Sequence, residues 1–525
     1  MSLPAGQIET AALLARLTGA VPVETHISAV YVGPDAAYKL KKAVRLSFVD
    51  FSTLPARRAM ALRECALNRI AAPGLYRGVK AICQDSCGAL HLAPADSPGA
   101  VDYVVEMAPV AAGDFLDVIA HARGLTPALL DALGDCIAAL HAKLPPVLGV
   151  DAAASLRGIA QGNAVAAHDA GLDAAIVARW LARILTTIET LAPALAARAA
   201  AGFVRRAHGD LHLGNLCLWQ GRPVAFDMLE FDEALATIDT GYDLAFLLMD
   251  LEHQAGRPAA NRVMNRYLAR SGDIGLTAGM PAFLSMRALI RAHVQASRGQ
   301  ARDAAAYLAM ALDLLAARPA RLVAIGGLQA TGKTTLARAL APDLGRAPGA
   351  IHLRSDEIRK RLHGVAPEAK LPAAAYGPGA NARVNAAVLD AAAAGVQAGQ
   401  AVIADSTFLH APLRRGIEAV ARAAGVRFTG IWLEAELDTA IARAAARQGD
   451  ASDAGPEIVR AAARVDPGRI SWARITADDG TLALAAARAQ LDELPVQPRS
   501  AVAQDAGHCA GHATGSADDE RHDDR

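Results

Sequence analysis

The first 110 residues alternate between short apolar segments and polar turns, as small β-sheets do. Residues 24–48 contain two apolar segments separated by Gly33-Pro34-Asp35, a pattern that predicts a β-hairpin. Helical spacing of the apolar residues then predicts a helix over residues 54–68. Further strand-like segments follow at residues 88–92 and 101–106. We therefore predict a small, mainly antiparallel sheet with one helix.

The pattern changes twice in the rest of the chain. Residues 114–200 and 242–317 have the pattern of alanine-rich helices, which Pro319 interrupts. Beyond this proline, apolar strands alternate with helices, and this alternation indicates a parallel α/β sheet. The strands are predicted at residues 322–326, 350–354, 401–405 and 428–434.

These patterns predict a multi-domain α/β protein. We expect a bilobal N-terminal α+β domain over residues 1–318, with a small lobe at about 20–110 and a large lobe at about 111–318. A second domain with the parallel sheet is expected over residues 319–494. Residues 495–525 are poor in large apolar side chains, and we expect them to form a disordered tail.

Composition limits the choice of partners. Lys plus Arg equals Asp plus Glu at 53 each, and aromatic residues make up only 4% of the chain. Nucleic-acid grooves need basic tracks and stacking rings, so this composition argues against a nucleic-acid partner. No apolar span reaches about 20 residues, and the N-terminus lacks the pattern of a signal peptide. We therefore expect a cytoplasmic protein that does not insert into membranes.

The segment Gly327-Leu328-Gln329-Ala330-Thr331-Gly332-Lys333-Thr334 has the spacing of a P-loop. The glycines of such a loop let backbone N–H groups surround a phosphate, the lysine reaches the β- and γ-phosphates, and the hydroxyl binds Mg2+. The segment follows an apolar strand and precedes a helical run, which is the context that a P-loop requires. The residues expected to bind ATP are Gly327, Gly332, Lys333, Thr334 and Thr335, and Thr334 is also expected on the metal.

Other candidate residues of this domain follow its later strands. Asp356 could orient or deprotonate an acceptor hydroxyl, or Ser355 or Asp356 could cap a helix. Asp405 follows an apolar strand and is expected to contact Mg2+ directly or through its ligands. Arg443 and Arg447 lie one helical turn apart, where a lid could bring both onto the transferring phosphoryl group. A solvated helix face explains the same spacing.

Over about residues 320–492, these motifs resemble the small P-loop kinases with AAA-type ATP-binding domains, especially the gluconate-kinase, zeta-toxin and chloramphenicol-phosphotransferase group. The resemblance implies ATP-dependent phosphoryl transfer to a small hydroxylated acceptor. It also implies that Lys333 and Thr334 lie on the nucleotide and that Asp356 is the candidate base. The acceptor itself is not identified by the resemblance.

A second set of phosphotransfer residues lies upstream. The segment His208-Gly209-Asp210-Leu211-His212-Leu213-Gly214-Asn215 places a carboxylate and an amide five positions apart, and Asp227 ends a later apolar strand. Asp210 can accept the proton of an acceptor hydroxyl. Asn215 and Asp227 can hold Mg2+ against the nucleotide phosphates.

About residues 20–300 resemble the aminoglycoside phosphotransferase family, a relative of the protein kinases. The residues that carry the resemblance are His208, Asp210, Asn215 and Asp227. The resemblance implies that Lys39 holds the α- and β-phosphates and pairs with Glu64, although Lys41 or Lys42 could be the true partner.

The same resemblance assigns roles to residues outside the catalytic segment. Met107 is expected where the two lobes are hinged and adenine is received, and Asp243 is expected to hold the catalytic loop through hydrogen bonds. The first strands lack the glycine-rich loop of protein kinases, so a hydroxyl-bearing turn such as that of Ser28 would cover the phosphates. Protein kinases are therefore poor guides to the substrate.

Two readings of the whole chain remain open at this point. In the first, the protein is a bifunctional phosphotransferase with two ATP sites that act on hydroxyls of small molecules. In the second, the N-terminal part is a metabolite-sensing kinase-like module without catalysis, coupled to a P-loop ATPase switch or toxin-like module. The presence of Asp210, Asn215 and Asp227 favours the first reading. A kinase of nucleic-acid ends is a minor third option.

Overall fold

The computed structural model describes residues 3–46, 49–122 and 124–492. The predicted tail at 495–525 lies outside these ranges. The described part is a multi-domain α/β structure in which a bilobal kinase-like part precedes a parallel α/β sheet, which confirms the predicted fold class. No helix in the described ranges is long and apolar enough to cross a membrane.

The small lobe is built on an antiparallel sheet with the strand order β1-β2-β3-β8-β6-β7. Its helices are α1 (Ile8–Thr18) and α2 (Leu54–Ala71). Its strands, including the separate β4–β5 pair, are β1 (Val23–Glu24), β2 (Ser28–Val32), β3 (Ala37–Lys41), β4 (Arg45–Leu46), β5 (Val49–Asp50), β6 (Tyr76–Gln84), β7 (Leu90–Pro94) and β8 (Ala100–Met107). The predicted hairpin and helix are confirmed, whereas α1 and β6 were not predicted.

Alternation along β3 decides which side chains reach the space between the lobes. Leu40 is buried with Leu13 and Leu14 of α1 on one face of the sheet. Because successive strand residues point to opposite faces, Lys39 and Lys41 lie on the other face, towards α2. The apolar burial of Leu40 therefore fixes the direction of both lysines.

The large lobe is mainly helical. Its helices are α3 (Leu116–Ala122), α4 (Pro127–Lys143), α5 (Ala152–Asp169), α6 (Ala174–Ala200), α7 (Glu233–Ala236), α8 (Thr240–Ala255), α9 (Arg257–Ser271), α10 (Met280–Ser297) and α11 (Ala301–Asp313). Two short antiparallel pairs carry its loops, β10 (Leu216–Trp219) with β11 (Arg222–Ala225), and β9 (Val204–Arg206) with β12 (Thr237–Asp239). Side-chain oxygens of Thr126, Asp151 and Asp173 cap α4, α5 and α6.

A buried ion-pair triad supports the start of α8. Arg198 donates to both carboxylate oxygens of Asp239 at 2.7 and 2.9 Å and to both of Asp273 at 2.6 and 2.9 Å. Asp239 also accepts from the Gly241 N–H as the N-cap of α8. The triad therefore ties α6 to the helix that carries Asp243.

The C-terminal part is a parallel sheet with the strand order β14-β15-β13-β16-β17. Its strands are β13 (Arg321–Gly327), β14 (Ile351–Arg354), β15 (Val402–Asp405), β16 (Arg427–Glu434) and β17 (Ala473–Thr476). Its helices are α12 (Lys333–Leu340), α13 (Ser355–Leu362), α14 (Pro378–Gln397), α15 (Ala411–Ala424), α16 (Leu437–Ala446), α17 (Pro456–Ala463) and α18 (Gly480–Asp492). The four predicted strands are confirmed, and β17 was not predicted. From the central strand β13, the chain adds β14 and β15 on one side and then β16 and β17 on the other. A crevice forms at the carboxyl ends of the strands, where the direction of this order reverses.

Helix α9 of the large lobe covers the free edge of β14. Asn265 Oδ1 accepts from the His352 N–H at 2.7 Å, and the amide nitrogens of Asn261 and Asn265 each donate to the Ala350 carbonyl at 3.1 Å. Buried apolar side chains of both parts, such as Ile274 and Val388, belong to one core. The edge strand of the parallel sheet is thus closed by side chains from the preceding part of the chain.

Candidate active sites

Asp243, in the first turn of α8, holds the loop that follows β9. Its Oδ1 accepts from the Gly209 N–H at 2.8 Å, and its Oδ2 accepts from the His208 N–H at 3.1 Å. The same Oδ2 lies 3.1 Å from His141 Nε2, and His141 Nδ1 lies 3.0 Å from the Tyr267 hydroxyl. Burial would raise the pKa of Asp243, but the hydrogen bond from His141 and nearby positive charge hold it below its ordinary value. These bonds agree with the expected structural role.

Asp210 lies in this loop as an accessible carboxylate. Asn215 Nδ2 donates to the Asp210 backbone carbonyl at 2.9 Å and to its Oδ2 at 3.0 Å. The Asp210 side chain is 43% exposed, and its Oδ2 lies 3.6 Å from His212 Nε2. Desolvation would raise the pKa of Asp210, but interactions with His212 and then with His208 bring it well below its ordinary value. The group is therefore ionised and open to an incoming hydroxyl.

Arg287 of α10 is a buried cation beneath this loop that the sequence did not single out. Its Nη1 donates to the Gly209 carbonyl and its Nε to the Tyr242 carbonyl, both at 3.2 Å. The guanidinium lies 3.8 Å from the ring centroid of Tyr242 and 4.7 Å from that of Phe246. The only sequence signal is an arginine in an otherwise apolar helical pattern, which no motif marks.

The predicted lysine–glutamate pair is present and is part of a larger network. Lys39 Nζ lies 2.8 Å from Glu64 Oε1 and 2.5 Å from Asp227 Oδ1. Lys41 Nζ lies 2.7 Å from the other Glu64 oxygen and also pairs with the buried Glu230. Burial opposes ionisation of Glu64, but the two lysines overcome it and lower the pKa of Glu64 to about 2. Lys41 therefore shares Glu64 with Lys39.

Lys42, which directly follows β3, does not share in this network, and Ser28, expected in a phosphate-covering turn, lies in a strand. Lys42 Nζ contacts Glu24 at 2.7 Å and the Thr25 carbonyl at 2.8 Å, away from Glu64. Ser28 is the first residue of β2 and is buried, so its side chain does not form an exposed hydroxyl turn. Ser28 lies opposite Lys41 in the paired strands, and the predicted phosphate cover by this residue stays a prediction.

Asp227 reaches Lys39 because the backbone after β11 takes an unusual conformation. Its φ is 61°, a left-handed value that residues other than glycine adopt infrequently. The Asp227 N–H donates to the Tyr76 hydroxyl at 3.1 Å, and the next N–H, of Met228, donates to Asn68 Oδ1 at 2.9 Å. Tyr76 and α2 of the small lobe thus place this carboxylate of the large lobe beside Lys39.

The residues around Asp210 fit a magnesium ion that arrives with a nucleotide. Asn215 uses its amide nitrogen on Asp210, which leaves its amide oxygen as a ligand, and the Asp227 side chain is 39% exposed. In the described ranges, no group of three or more His, Cys, Asp or Glu side chains could hold a metal ion by itself. Mg2+ is usually held by one or two protein carboxylates together with phosphates and water. This oxygen set therefore suits a nucleotide-bound Mg2+.

The P-loop links β13 to α12 with three residues at positive φ. These are Gly327 at 132°, Ala330 at 63° and Gly332 at 96°. A Cβ on Gly327 would lie 2.4 Å from the Leu433 carbonyl oxygen, so only glycine fits against β16 there. The buried Lys333 donates from Nζ to the carbonyl of Leu328 at 2.5 Å, across the loop. The local backbone therefore has the form that phosphate binding requires.

Thr334 and Asp405 meet beneath this loop, as their predicted metal roles require. Thr334 Oγ1 donates to Asp405 Oδ2 at 2.6 Å, and His352 Nε2 lies 3.3 Å from the same oxygen. Burial would raise the pKa of Asp405, but the hydrogen bond and charge of His352, followed by the charges of Lys333 and Arg354, hold it well below its ordinary value. His352 was not predicted, although strand alternation places it on the same face as Arg354.

Asp356 lies in the first turn of α13, close to the P-loop lysine. Burial raises the pKa of Asp356 above its ordinary value, against the charge of Arg354 and a hydrogen bond with Ser452. The N-cap position of α13 is Arg354, and no side chain makes a capping hydrogen bond there. The alternative in which Ser355 or Asp356 caps the helix is therefore wrong.

The two predicted lid arginines have different surroundings. Arg443 donates to the carbonyls of Ala477 at 3.2 Å and Asp478 at 3.3 Å, beyond the end of β17. Arg447 Nη1 is buried without a hydrogen-bond partner among the described residues, and its charge lowers the pKa of Lys333, after the larger effect of burial. Only Arg447 faces the P-loop lysine in this structure. Thr335 is exposed in the first turn of α12.

The segment after Arg447 is held by two charged contacts. Asp450 pairs with Arg354 at 2.9 Å, and Asp453 pairs with the buried Lys360 at 2.5 Å. The Tyr376 hydroxyl also donates to Asp453. The loop that carries Asp450 and Asp453 is therefore fastened to α13.

Comparison with known proteins divides the chain in the same way as its geometry. Residues 89–281 match the phosphotransferase enzyme family, and residues 322–465 match an AAA domain. The "Uncharacterized protein Rv2004c" of Mycobacterium tuberculosis is 29% identical over 461 residues, which cover 84% of this chain and 89% of that protein.

Solved structures resemble one part or the other. A gluconokinase from Sinorhizobium meliloti 1021 is 18% identical and covers 33% of this chain and 94% of its own, with a TM-score of 0.24. A thermostable mutant of the aminoglycoside phosphotransferase APH(4)-Ia is 14% identical and covers 59% of this chain and 98% of its own, with a TM-score of 0.37.

Proposed function

Because the chain joins a domain of the phosphotransferase enzyme family to a P-loop kinase domain, we propose that it is an ATP-dependent phosphotransferase with two active sites. Each site transfers the γ-phosphoryl group of ATP to a hydroxyl of a small molecule. We assign the N-terminal site to residues 1–318 and the C-terminal site to residues 319–494. The observation that carries the proposal is a pair of contact groups. Asn215 contacts Asp210 and Lys39 contacts Glu64 in one part, and Thr334 contacts Asp405 beside Lys333 in the other.

In the N-terminal site, Asp210 is the base for the acceptor hydroxyl. The acceptor oxygen bonds to the γ-phosphorus, its proton passes to the Asp210 carboxylate, and the bond to the bridging oxygen of ADP breaks. Lys39, oriented by Glu64, holds the α- and β-phosphates. Asn215 and Asp227 hold Mg2+, which, when bound, neutralises charge that develops on the phosphates. The Asp210 carboxylate is ionised at neutral pH, so it can accept a hydrogen bond from the acceptor hydroxyl and orient it.

In the C-terminal site, the backbone at Gly327 and Gly332 and the side chain of Lys333 hold the phosphates of ATP. Thr335 at the start of α12 adds a hydroxyl to this set. Thr334 and Asp405 provide the oxygens for Mg2+, and their contact at 2.6 Å supports the assignment.

The acceptor of this second site lies beside α13. Asp356 receives the proton of the acceptor hydroxyl, and its raised pKa brings it nearer to the range of a working general base. Arg447 contacts the transferring phosphoryl group, and its unpartnered buried nitrogen supports that role. In this structure, Arg443 donates to the Ala477 carbonyl beyond the end of β17. It therefore joins Arg447 on the nucleotide only if α16 moves.

Separate variants of the two sites test the proposal. Full-length protein and its Asp210→Asn and Lys333→Ala variants are incubated with radiolabelled ATP and panels of sugars, aminoglycosides and nucleosides. Removal of a positioned base typically costs about 10²- to 10⁴-fold in rate. We expect each variant to lose acceptor-dependent phosphorylation of its own set of acceptors and to keep the other set.

Exposed residues provide matched controls for these variants. Asp169→Asn and Lys143→Ala change the same residue types on solvated helix surfaces and should leave both activities unchanged. Full phosphorylation of every acceptor by both active-site variants would exclude the two-site proposal. If only Lys333→Ala loses acceptor-dependent phosphorylation, the N-terminal part is a binding module without catalysis.

A further inference from the structure

A cavity of about 350 Å3 lies between the two parts of the chain, and none of the proposed phosphotransfer residues lines it. Helices α4 and α9 of the large lobe form one wall, and α12, β14 and α13 of the parallel sheet form the other. The polar side chains that line it include Asp131, Arg262, Asn265, Arg338, His352 and Glu357. Small-molecule sites commonly have volumes of about 300–1,000 Å3, so a metabolite fits and a polymer does not.

Most charged groups of this cavity are already paired. Arg262 forms a two-point contact with Asp131 at 2.7 and 2.5 Å. Arg266 is paired with Asp135 in the same manner, and Glu357 accepts from Arg354 at 2.9 Å.

Arg338 is the exception. Among the described residues it has no hydrogen bond and no ion pair within 4 Å, although it lines the cavity. Desolvation lowers the pKa of Arg338, and the charges of Arg354 and Arg262 lower it further, against those of Glu357 and Asp131. The Arg338 side chain is exposed, and a guanidinium without a partner can bind an anion that accepts two parallel hydrogen bonds.

The uncharged side chains of the lining indicate the chemistry of the rest of the ligand. Leu125, Pro127 and Leu130 come from the start of α4 and the loop before it, and Pro258 and Ala259 come from the first turn of α9. These side chains form an apolar wall at the large-lobe side of the cavity. A ligand with one charged end and a short carbon body matches both features.

We propose that this interdomain cavity binds a small metabolite that carries a carboxylate or phosphate group, with Arg338 as its anion-binding residue. The site is separate from the two phosphotransfer sites. Because its walls come from both parts of the chain, the ligand favours their docked arrangement.

The bound anion also acts near the P-loop site. His352 belongs to the cavity lining, and its ring lies 3.3 Å from the carboxylate of Asp405, which contacts Thr334. A ligand that fixes His352 therefore changes the nucleotide affinity of the C-terminal site, and the nucleotide changes the ligand affinity by the same factor.

The test measures binding to the full-length protein with both nucleotide sites saturated by ADP, Mg2+ and beryllium fluoride, which occupies the γ-phosphate position, so that phosphate cannot enter the P-loop. Inorganic phosphate, glycerol 3-phosphate and gluconate are titrated by calorimetry and by thermal shift, with glycerol and glucose as uncharged controls. We expect the anions to bind and the uncharged probes not to bind. Binding of phosphate alone indicates an inorganic anion site, which overturns the metabolite assignment.

Two substitutions with opposite expected effects on anion affinity separate a binding role of Arg338 from a structural one. Arg338→Gln should weaken anion binding at least tenfold. Asp131→Asn removes the carboxylate that pairs with Arg262, so it should tighten anion binding several-fold. Arg302→Gln, on the exposed surface of α11, is the matched control and should have no effect. ADP affinity should be unchanged in Arg338→Gln, which shows that the P-loop helix is intact.

The proposal is overturned if no anion binds in the presence of ADP, or if Arg338→Gln binds anions as the natural protein does. It is also overturned if both substitutions weaken binding equally, because that result indicates general damage. None of these measurements requires phosphoryl transfer. The cavity proposal therefore stands or fails separately from the proposed two-site function.

Discussion

Replacing Asp243 by asparagine should destabilise the N-terminal part of the protein and impair its active site. The two oxygens of Asp243 accept hydrogen bonds from three donors, His208 N–H, Gly209 N–H and His141 Nε2. An asparagine side chain offers one acceptor oxygen and turns an N–H group towards the other position. Whichever way the amide is turned, one buried backbone N–H of the catalytic loop faces a donor.

The size of the effect follows from this geometry. A buried polar group left without its partner costs about 1–3 kcal/mol, and the lost bonds are to a charged acceptor, so we expect about 2–3 kcal/mol. In domains of 150–250 residues, each 1 kcal/mol lowers Tm by about 2–4 °C, which gives a decrease of about 4–12 °C. Thermal unfolding followed by circular dichroism measures it, with the exposed Asp313→Asn as the matched control.

The pH dependence gives an independent check. The pKa of Asp243 is lower in the folded protein than its unfolded value of about 3.9, so its stabilising contribution is complete above pH 5. As pH falls through the folded pKa, this contribution is lost. The Tm difference between the natural protein and Asp243→Asn should be constant from pH 8 to 5 and should shrink below about pH 4. A Tm within 1 °C of the natural protein at pH 7 would refute the reasoning.

Three further substitutions test residues that support the two sites. Arg198→Met leaves the buried carboxylates of Asp239 and Asp273 unpaired, so we expect a loss of about 3–5 kcal/mol in denaturant unfolding; a loss below 1 kcal/mol contradicts this. Gly332→Ala introduces only the strain of positive φ, about 1–3 kcal/mol, whereas Gly327→Ala adds overpacking against β16 of about 1–3 kcal/mol. Equal Tm values for the two alanine variants would contradict the predicted order.

Local patterns were sufficient to predict the residues whose chemistry depends on their place in the chain. The P-loop and Asp405 each follow an apolar strand, and strand ends of a parallel sheet meet at one edge. The contact between Thr334 and Asp405 follows from that rule. The His208–Asn215 loop was marked by the spacing of its carboxylate and amide. The Lys39–Glu64 pair came from the family resemblance, and hydrophobic alternation alone could not have joined a strand to a helix 25 residues later.

Other residues could not be predicted, because their roles depend on packing between distant segments. Lys41 reaches Glu230 across 189 positions, and Arg287 reaches the Gly209 carbonyl across 78. Lys41 was named only as an alternative partner of Glu64, and Arg287 belongs to no motif, since a charged residue in an apolar pattern is usually read as solvent-exposed. The surroundings of Arg443 also could not be predicted. Its helical spacing suggested a lid, whereas the carbonyls after β17, a strand that was not predicted, hold it in this structure.

The amide side chains of α9 that close the edge of β14 make the two parts of the chain dependent on each other during folding. The P-loop sheet produced alone would present the Ala350 carbonyl and the His352 N–H as an unpaired strand edge, to which a second copy of the sheet can add. In the intact polypeptide, this partner is synthesised first and is permanently present at high local concentration. In the intact chain, the N-terminal part thus protects this strand edge of the C-terminal part.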